Sequence, residues 1–424
     1  MGRFPNPGNL KRLWFVEIHI VVSKKILLYL SDFCLKMIDK VVLFPYYLTL
    51  LTRDWLYRKG IFKVHTCEVP TICVGNITAG GTGKTPHTEM ILRTLLKDDI
   101  WGNKNIAVLS RGHKRQSSGF QQVTANGTTD EFGDEPLQMK RKFMNVTVAV
   151  DRTRVEGCNF LCHPEELQTS KRGRKCYNKE MPPADLIVLD DAFQYRALKA
   201  AINIVLVDFY HPTYKDHLLP IGRLRDLPQR LDDADILIVT KCPTYLDEWE
   251  KGKWAKSLGI NDYNTATCKG TSKGGKIQTI VFTSINYCPM VPVYEKGDNR
   301  YIYAKNLILF SGIAKDKNLR QYLSGTYNIV KHFKFSDHHK FTKLDIRTIW
   351  ESTYEHPTAV VATTEKDSQR IRDNKNVPEN LQAKMFQVPI EVAFLSDNER
   401  DVFTATLTSR LKEFHSAPSQ TLRG

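Results

Sequence analysis

Residues 69–85 read Val-Pro-Thr-Ile-Cys-Val-Gly-Asn-Ile-Thr-Ala-Gly-Gly-Thr-Gly-Lys-Thr. An apolar strand, a glycine-rich turn and a helix opening on Gly-Lys-Thr follow one another without a gap. This order points to an α/β fold in which a strand feeds a helix through a tight loop. Backbone N–H groups in such a turn converge on a polyphosphate, and the helix N-terminus adds partial positive charge. The cradle comprises Thr78, Ala79, Gly80, Gly81, Thr82 and Gly83, with Thr78 where the usual motif has its first Gly. Gly80 and Gly81 are expected to supply positive φ angles. Lys84 is expected to reach the β- and γ-phosphates, and the Thr85 hydroxyl to ligate Mg²⁺.

The alternation after this loop fits the same class. Apolar runs rich in Val, Ile and Leu at 71–74, 106–109, 146–150, 186–189, 202–207 and 236–239 read as strands buried on both faces, with helices between them. Residues 63–275 are therefore expected to form a nucleotide-binding core with a mostly parallel sheet. A stretch rich in Lys, Gly, Asn and Thr at 243–275 reads as a break. Residues 276–424 are expected to form a smaller second α/β domain, with strands at 277–282, 307–310, 359–362 and 386–388.

Residues 1–62 differ in kind. Ile18 to Leu30 is largely apolar, and Phe44 to Leu51 is followed by Trp55, Tyr57 and Lys/Arg heads. Apolar positions, interfacial aromatics and basic groups together suit an amphipathic helix lying in a membrane interface. No run reaches the ~20 apolar residues needed to span a bilayer. Met37 offers a second possible start.

The net charge of +15 over 424 residues implies an anionic partner: nucleic acid, an anionic membrane or a phosphorylated substrate. The basic runs at 171–175 and 222–225 are short and no nucleic-acid module accompanies them, so nucleic acid is not the expected partner. The 9 Cys show no disulfide framework, as in a reduced cytosolic protein. Cys158, Cys162, His163 and Cys176 lack the regular spacing of a zinc site.

Ligands of open parallel sheets bind at the carboxyl ends of the strands. Asp190-Asp191 closes one such strand, where a nucleotide site needs a carboxylate for Mg²⁺. Arg111, which follows another strand, is expected to contact the substrate, and Arg225-Asp226 lies in a basic turn suited to an anionic substrate group. Asp134, in Gly133-Asp-Glu-Pro136, is a candidate to accept a hydroxyl proton. Adjacent His338 and His339 suit orienting a carboxylate, binding metal or lining a polar loop. A regulatory GTPase with a membrane anchor is the alternative. Its base-reading Asn-Lys-x-Asp is absent at the comparable place, Thr240-Lys-Cys-Pro243.

Taken in order, Val74 to Pro86, Ser110-Arg-Gly112, Gly133 to Pro136, Asp190 to Gln194, Leu219 to Asp226, Phe335 to His339 and Thr364 to Asp367 give the chain its kinship. From about Val41 to Leu411 it resembles the tetraacyldisaccharide 4′-kinase family of lipid A biosynthesis. The resemblance implies a P-loop fold with two domains around a cleft and transfer of the ATP γ-phosphate to the 4′-hydroxyl of a tetraacyldisaccharide 1-phosphate. It implies a monotopic protein on the cytoplasmic face of the bacterial inner membrane. It also implies a base dyad of Asp134 with His338 or His339, His338 being preferred. Asp190 and Asp191 would assist Mg²⁺, with Glu135 counted in that metal set. Arg225 and Asp226 would lie at the substrate. Ala192, Tyr195, Asp226 and His113 depart from the family's usual Gly, His, Glu and Tyr. Residues 161–180 look like an insertion.

Overall fold

The computed structural model describes residues 44–416. Its main layer is an eleven-stranded sheet. In spatial order, the parallel strands are Ile277–Tyr287, Ile236–Thr240, Ile202–Asp208, Thr71–Gly75, Leu186–Asp190, Ile106–Ser110 and Thr147–Val150. Alternate residues of the central strand enter opposite cores. Ile72 and Val74 pack with Ile91, Leu92 and Leu95 on one face, whereas Cys73 packs with Leu189 and Val205 on the other. The chain builds outward from Thr71–Gly75 on one side, returns, and then builds on the other. The phosphate loop therefore leaves the sheet where strand order reverses, the usual place for a ligand crevice.

A second, five-stranded sheet holds Asn328–Lys334, Asn306–Ser311, Val360–Thr364, Met385–Val388 and Val291–Pro292, with apolar clusters of its own on both faces. The boundary between the units does not fall at 275/276 as expected. Ile277–Tyr287 pairs in parallel with Ile236–Thr240 as part of the first sheet, and Ile390–Phe394 pairs antiparallel with it. Phe403, Leu407 and Leu411 of the helix Asp397–Ser416 also pack into the first core. The second unit is thus inserted, spanning about 291–388. A run of buried apolar residues specifies a strand without specifying which sheet it joins.

The expected break at 243–275 contains structure. Asp247 and Glu250 form a capping box that starts the helix Glu248–Ser257, and a hairpin of Ile260–Asn264 with Lys269–Ser272 borders the sheet. Residues 161–180 contribute Leu161, Leu167 and Cys176 to the first core, so the segment packs rather than protrudes.

A helix occupies residues 44–58. Leu50 is buried, and Arg53 and Asp54 tie one face to the body through Asp226 and Arg196. Phe44, Leu48, Leu51 and Trp55, at helical spacing, stay exposed on the other. The Ile18–Leu30 stretch lies outside the described residues. Among the described residues, no helix is long and apolar enough to cross a membrane.

Candidate active site

Gly75 ends the central strand under tight constraint, because a Cβ there would lie 2.5 Å from the Cβ of Phe193. The following loop is pinned from inside. Asn76 Nδ2 donates to Thr82 Oγ1 at 2.7 Å and to Thr78 Oγ1 at 3.3 Å, and all three residues are buried. It is pinned from outside by backbone bonds from Ala79 N to Arg223 O and from Arg225 N to Ile77 O. Positive φ falls at Gly80 (103°) and Gly83 (86°); Gly81, expected to share that role, is not among the positive-φ residues. No side chain caps the helix Lys84–Leu96 and no acid stands in its first turn, so its N–H groups face the loop uncompensated. Burial pushes His87 down to about 4, and its neutral ring bonds Gly83 O and Thr283 Oγ1.

Two carboxylates stand beside this loop in opposite states. Asp190 ends its strand only 1% exposed, accepting from Thr88 and Ser110 hydroxyls at 3.2 Å. Burial, reinforced by the charges of Glu135 and Asp191, pushes its carboxyl up to about 7. Asp191, at φ 49°, is only half-buried, and Lys84 and Arg225 outweigh its partial desolvation and hold it below the usual range. Lys84 Nζ lies 3.7 Å from Asp191 Oδ2, and Arg225 donates to both Asp191 and Asn76 Oδ1. A buried carboxylate under like-charge pressure fits a divalent cation, and Thr85 stands half-buried at the start of the neighbouring helix. Among the described residues, no three His, Cys, Asp or Glu side chains converge closely enough to cage a metal alone. Thr85, Asp190 and Asp191 offer hard oxygen donors of the kind that suit a cation keeping water and phosphate oxygens as its other ligands.

The second carboxylate centre spans both units. Gly133, at φ 90°, turns the chain into the helix Asp134–Lys142. Asp134 Oδ2 meets His338 Nδ1 at 3.1 Å and receives Arg370 Nη2 at 2.8 Å and Nε at 3.2 Å. Burial alone would raise Asp134, but the His338 bond and the charges of Lys366 and Arg370 hold it far below the usual carboxylate range. Lys366 Nζ lies 3.2 Å from both His338 Nε2 and Glu135 Oε1. His339 faces away, stacked on Phe335 and 2.9 Å from Asp345. Neighbouring histidines diverge because His338 takes φ 59°, with its N–H on Gly312 O. His113 stacks edge-on against His338 with ring centroids 5.7 Å apart.

Of the residues expected at the substrate, Arg111 stays open to solvent while Asp226 lies elsewhere. Arg111 is exposed and has no ion pair among those described. Asp226 is fully buried, with Arg53 at 3.4 Å and Arg196 and Arg230 each at 3.6 Å, so it anchors the helix over 44–58 rather than facing a cleft. Lys241 follows the strand Ile236–Thr240 and donates to Asp208 and Gly81 O, latching the phosphate loop where a GTPase would read a base. Lys366 and Arg370 join the Asp134 centre although neither stands out as a site residue in the sequence. Their i,i+4 spacing behind the Thr364 cap is the signal that puts both on one helix face.

A family model for tetraacyldisaccharide-1-P 4′-kinase matches residues 39–412. The chain belongs to the tetraacyldisaccharide 4′-kinase family. Among members of this family, the tetraacyldisaccharide 4′-kinase of Phocaeicola vulgatus is 36% identical over 367 residues, covering 85% of this chain and 91% of that protein. That of Bacteroides fragilis is 34% identical over 371 residues, covering 85% and 89% respectively. The crystal structure of LpxK from Aquifex aeolicus in complex with ATP superposes with a TM-score of 0.61 at 22% identity, covering 88% of this chain and 99% of that one. The likeness establishes a shared two-unit fold. In this tetraacyldisaccharide 4′-kinase family member the matched span includes the helix over 44–58, both sheets and both carboxylate centres.

Proposed function

We propose that this chain transfers the γ-phosphoryl group of ATP to the 4′-hydroxyl of a tetraacyldisaccharide 1-phosphate, the step that yields lipid IVA in lipid A biosynthesis. Family membership supports the reaction class, and the Asp134–His338 contact across two units beside the phosphate loop carries the residue assignment. Phosphoryl transfer depends mostly on positioning and charge neutralisation. Lys84 and the loop N–H groups hold the β- and γ-phosphates. Bound through Thr85, Asp190 and Asp191, Mg²⁺ would neutralise charge developing on the transferred group. Glu135 is engaged by Lys366, which sets it at the rim of that metal set.

Asp134 Oδ2 is occupied by three donors, whereas among the described residues Oδ1 accepts only the Glu135 N–H, at 3.1 Å. Oδ1 therefore receives the proton of the attacking hydroxyl. A carboxylate held well below its usual range is a weak base, and this suits a loose transition state in which the hydroxyl becomes acidic only as the new P–O bond forms. Arg225 lies between the phosphate loop and Asp191 and completes the cationic wall.

The exposed face of Phe44, Leu48, Leu51 and Trp55 supports a monotopic attachment to the cytoplasmic face of the bacterial inner membrane, where a glycolipid substrate resides. The net charge of +15 favours an anionic leaflet. Incubating the purified chain with γ-labelled ATP, Mg²⁺ and the tetraacyl disaccharide 1-phosphate in detergent tests the proposal. Label in a lipid bisphosphate, with unlabelled GTP a poor competitor, is the expected result. ATP hydrolysis without lipid labelling would overturn it.

A further inference from the structure

The helix Glu365–Arg372 of the second unit sends two cations across to the first. Its own start is firmly set. Thr364 Oγ1 accepts the Asp367 N–H at 3.0 Å and donates to Asp367 Oδ2 at 2.7 Å, which also accepts Gly312 N–H at 2.9 Å. Asp367 Oδ1 receives Arg370 Nη1 at 2.8 Å. The other edge of the same guanidinium, Nε and Nη2, grips Asp134 Oδ2, and the Arg370 side chain is only 7% exposed. A planar group bound at both edges has little freedom to turn, and it imposes its orientation on Asp134. The same hydrogen-bond chain includes Gly312, whose carbonyl holds the His338 N–H.

Lys366 acts on the other member of the dyad. An ammonium has donors only, so its partner His338 Nε2 must present a lone pair. The neutral imidazole then carries its hydrogen on Nδ1 and donates it to Asp134 Oδ2. Ion pairs beside this contact hold the two units together. Lys142 bridges Glu89 and Glu365 at 2.6 and 2.7 Å, and Arg141 lies 3.7 Å from Asp373.

We propose that Arg370 and Lys366 are positioning residues for phosphoryl transfer: Arg370 turns Asp134 so that Oδ1 stays open to the acceptor hydroxyl, and Lys366 fixes the His338 tautomer. The proposal rests on the reading of Asp134 as the proton acceptor. The test is steady-state kinetics of the full chain carrying Arg370→Ala, Arg370→Lys, Lys366→Met, Asp134→Ala, and each of Arg370→Ala and Lys366→Met combined with Asp134→Ala. Misplacing a reacting group by about 1 Å costs on the order of 10²-fold, so Arg370→Ala is expected to lower kcat by about that factor with KM for ATP unchanged. Arg370→Lys restores part of the loss. Neither Arg370→Ala nor Lys366→Met slows the Asp134→Ala protein further, because both act through that carboxylate. Should Arg370→Ala fail to fold, Arg370→Lys and Lys366→Met carry the same comparison. An unchanged kcat, a loss confined to KM, or losses that multiply with Asp134→Ala would overturn the positioning role alone. Full turnover by Asp134→Ala would overturn the proton-acceptor reading and the positioning role with it.

Discussion

Asp190 links the electrostatics of the nucleotide site to a measurable stability. In the folded protein its carboxyl sits near 7, whereas an unfolded aspartate titrates near 3.9. The folded state therefore binds the extra proton between those values. The stability this contributes is complete below about pH 4 and is lost progressively as pH rises to about 7. Most of the loss precedes pH 6. The last part, from pH 6 to pH 8, amounts to about 1.4 kcal/mol. Asn at this position keeps the shape and cannot ionise, so Asp190→Asn removes the slope. Histidines titrating in the same range cancel in the comparison. Urea unfolding of both proteins at pH 6 and pH 8 in a metal chelator is the assay. The wild type should lose about 1.4 kcal/mol more than the variant, and saturating Mg²⁺ with ATP should abolish the difference by stabilising the carboxylate. Parallel slopes in chelator would refute the argument that burial and like charge keep this group protonated.

Three further outcomes are expected. Asp226→Ala leaves three guanidinium groups around an uncompensated buried hole and should cost about 3–5 kcal/mol in unfolding free energy; a normal unfolding curve with a raised lipid KM would restore Asp226 to the substrate site. Replacing Leu48, Leu51 and Trp55 with Ser removes exposed apolar surface and should lower co-sedimentation with anionic vesicles by more than about tenfold, while detergent-based activity persists. Gly83→Ala puts a Cβ on a φ of 86° within 3.3 Å of Ile285 Cδ1 and should weaken ATP binding measured by calorimetry, whereas Gly81→Ala faces open space and should bind ATP more nearly as wild type.

Much of the nucleotide site was legible because its chemistry is local in sequence. Thr71–Gly75, the loop and Lys84 lie within one strand–turn–helix, and Asp190 follows directly on its apolar strand. The order of the sheet was less so, since the apolar residues of Ile277–Tyr287 mark it as a strand without telling which sheet it joins, and it joins the first. Asp226 looked like a substrate contact because its neighbours are basic. Arg53, Arg196 and Arg230 instead enclose it, a property of three segments far apart in the chain. Choosing between His338 and His339 required a backbone angle, and the importance of Arg370 required knowing that its helix faces Asp134 across the units.

The central claim is that Asp134, held by His338 across the cleft, accepts the proton of a glycolipid hydroxyl attacking ATP. Single-turnover transfer of labelled phosphate to the tetraacyl disaccharide 1-phosphate by Asp134→Ala, alongside its affinity for ATP, tests this most directly. Transfer slowed by roughly 10²–10⁴-fold, with ATP bound as in the wild type, is the expected result. Transfer at the wild-type rate would contradict it.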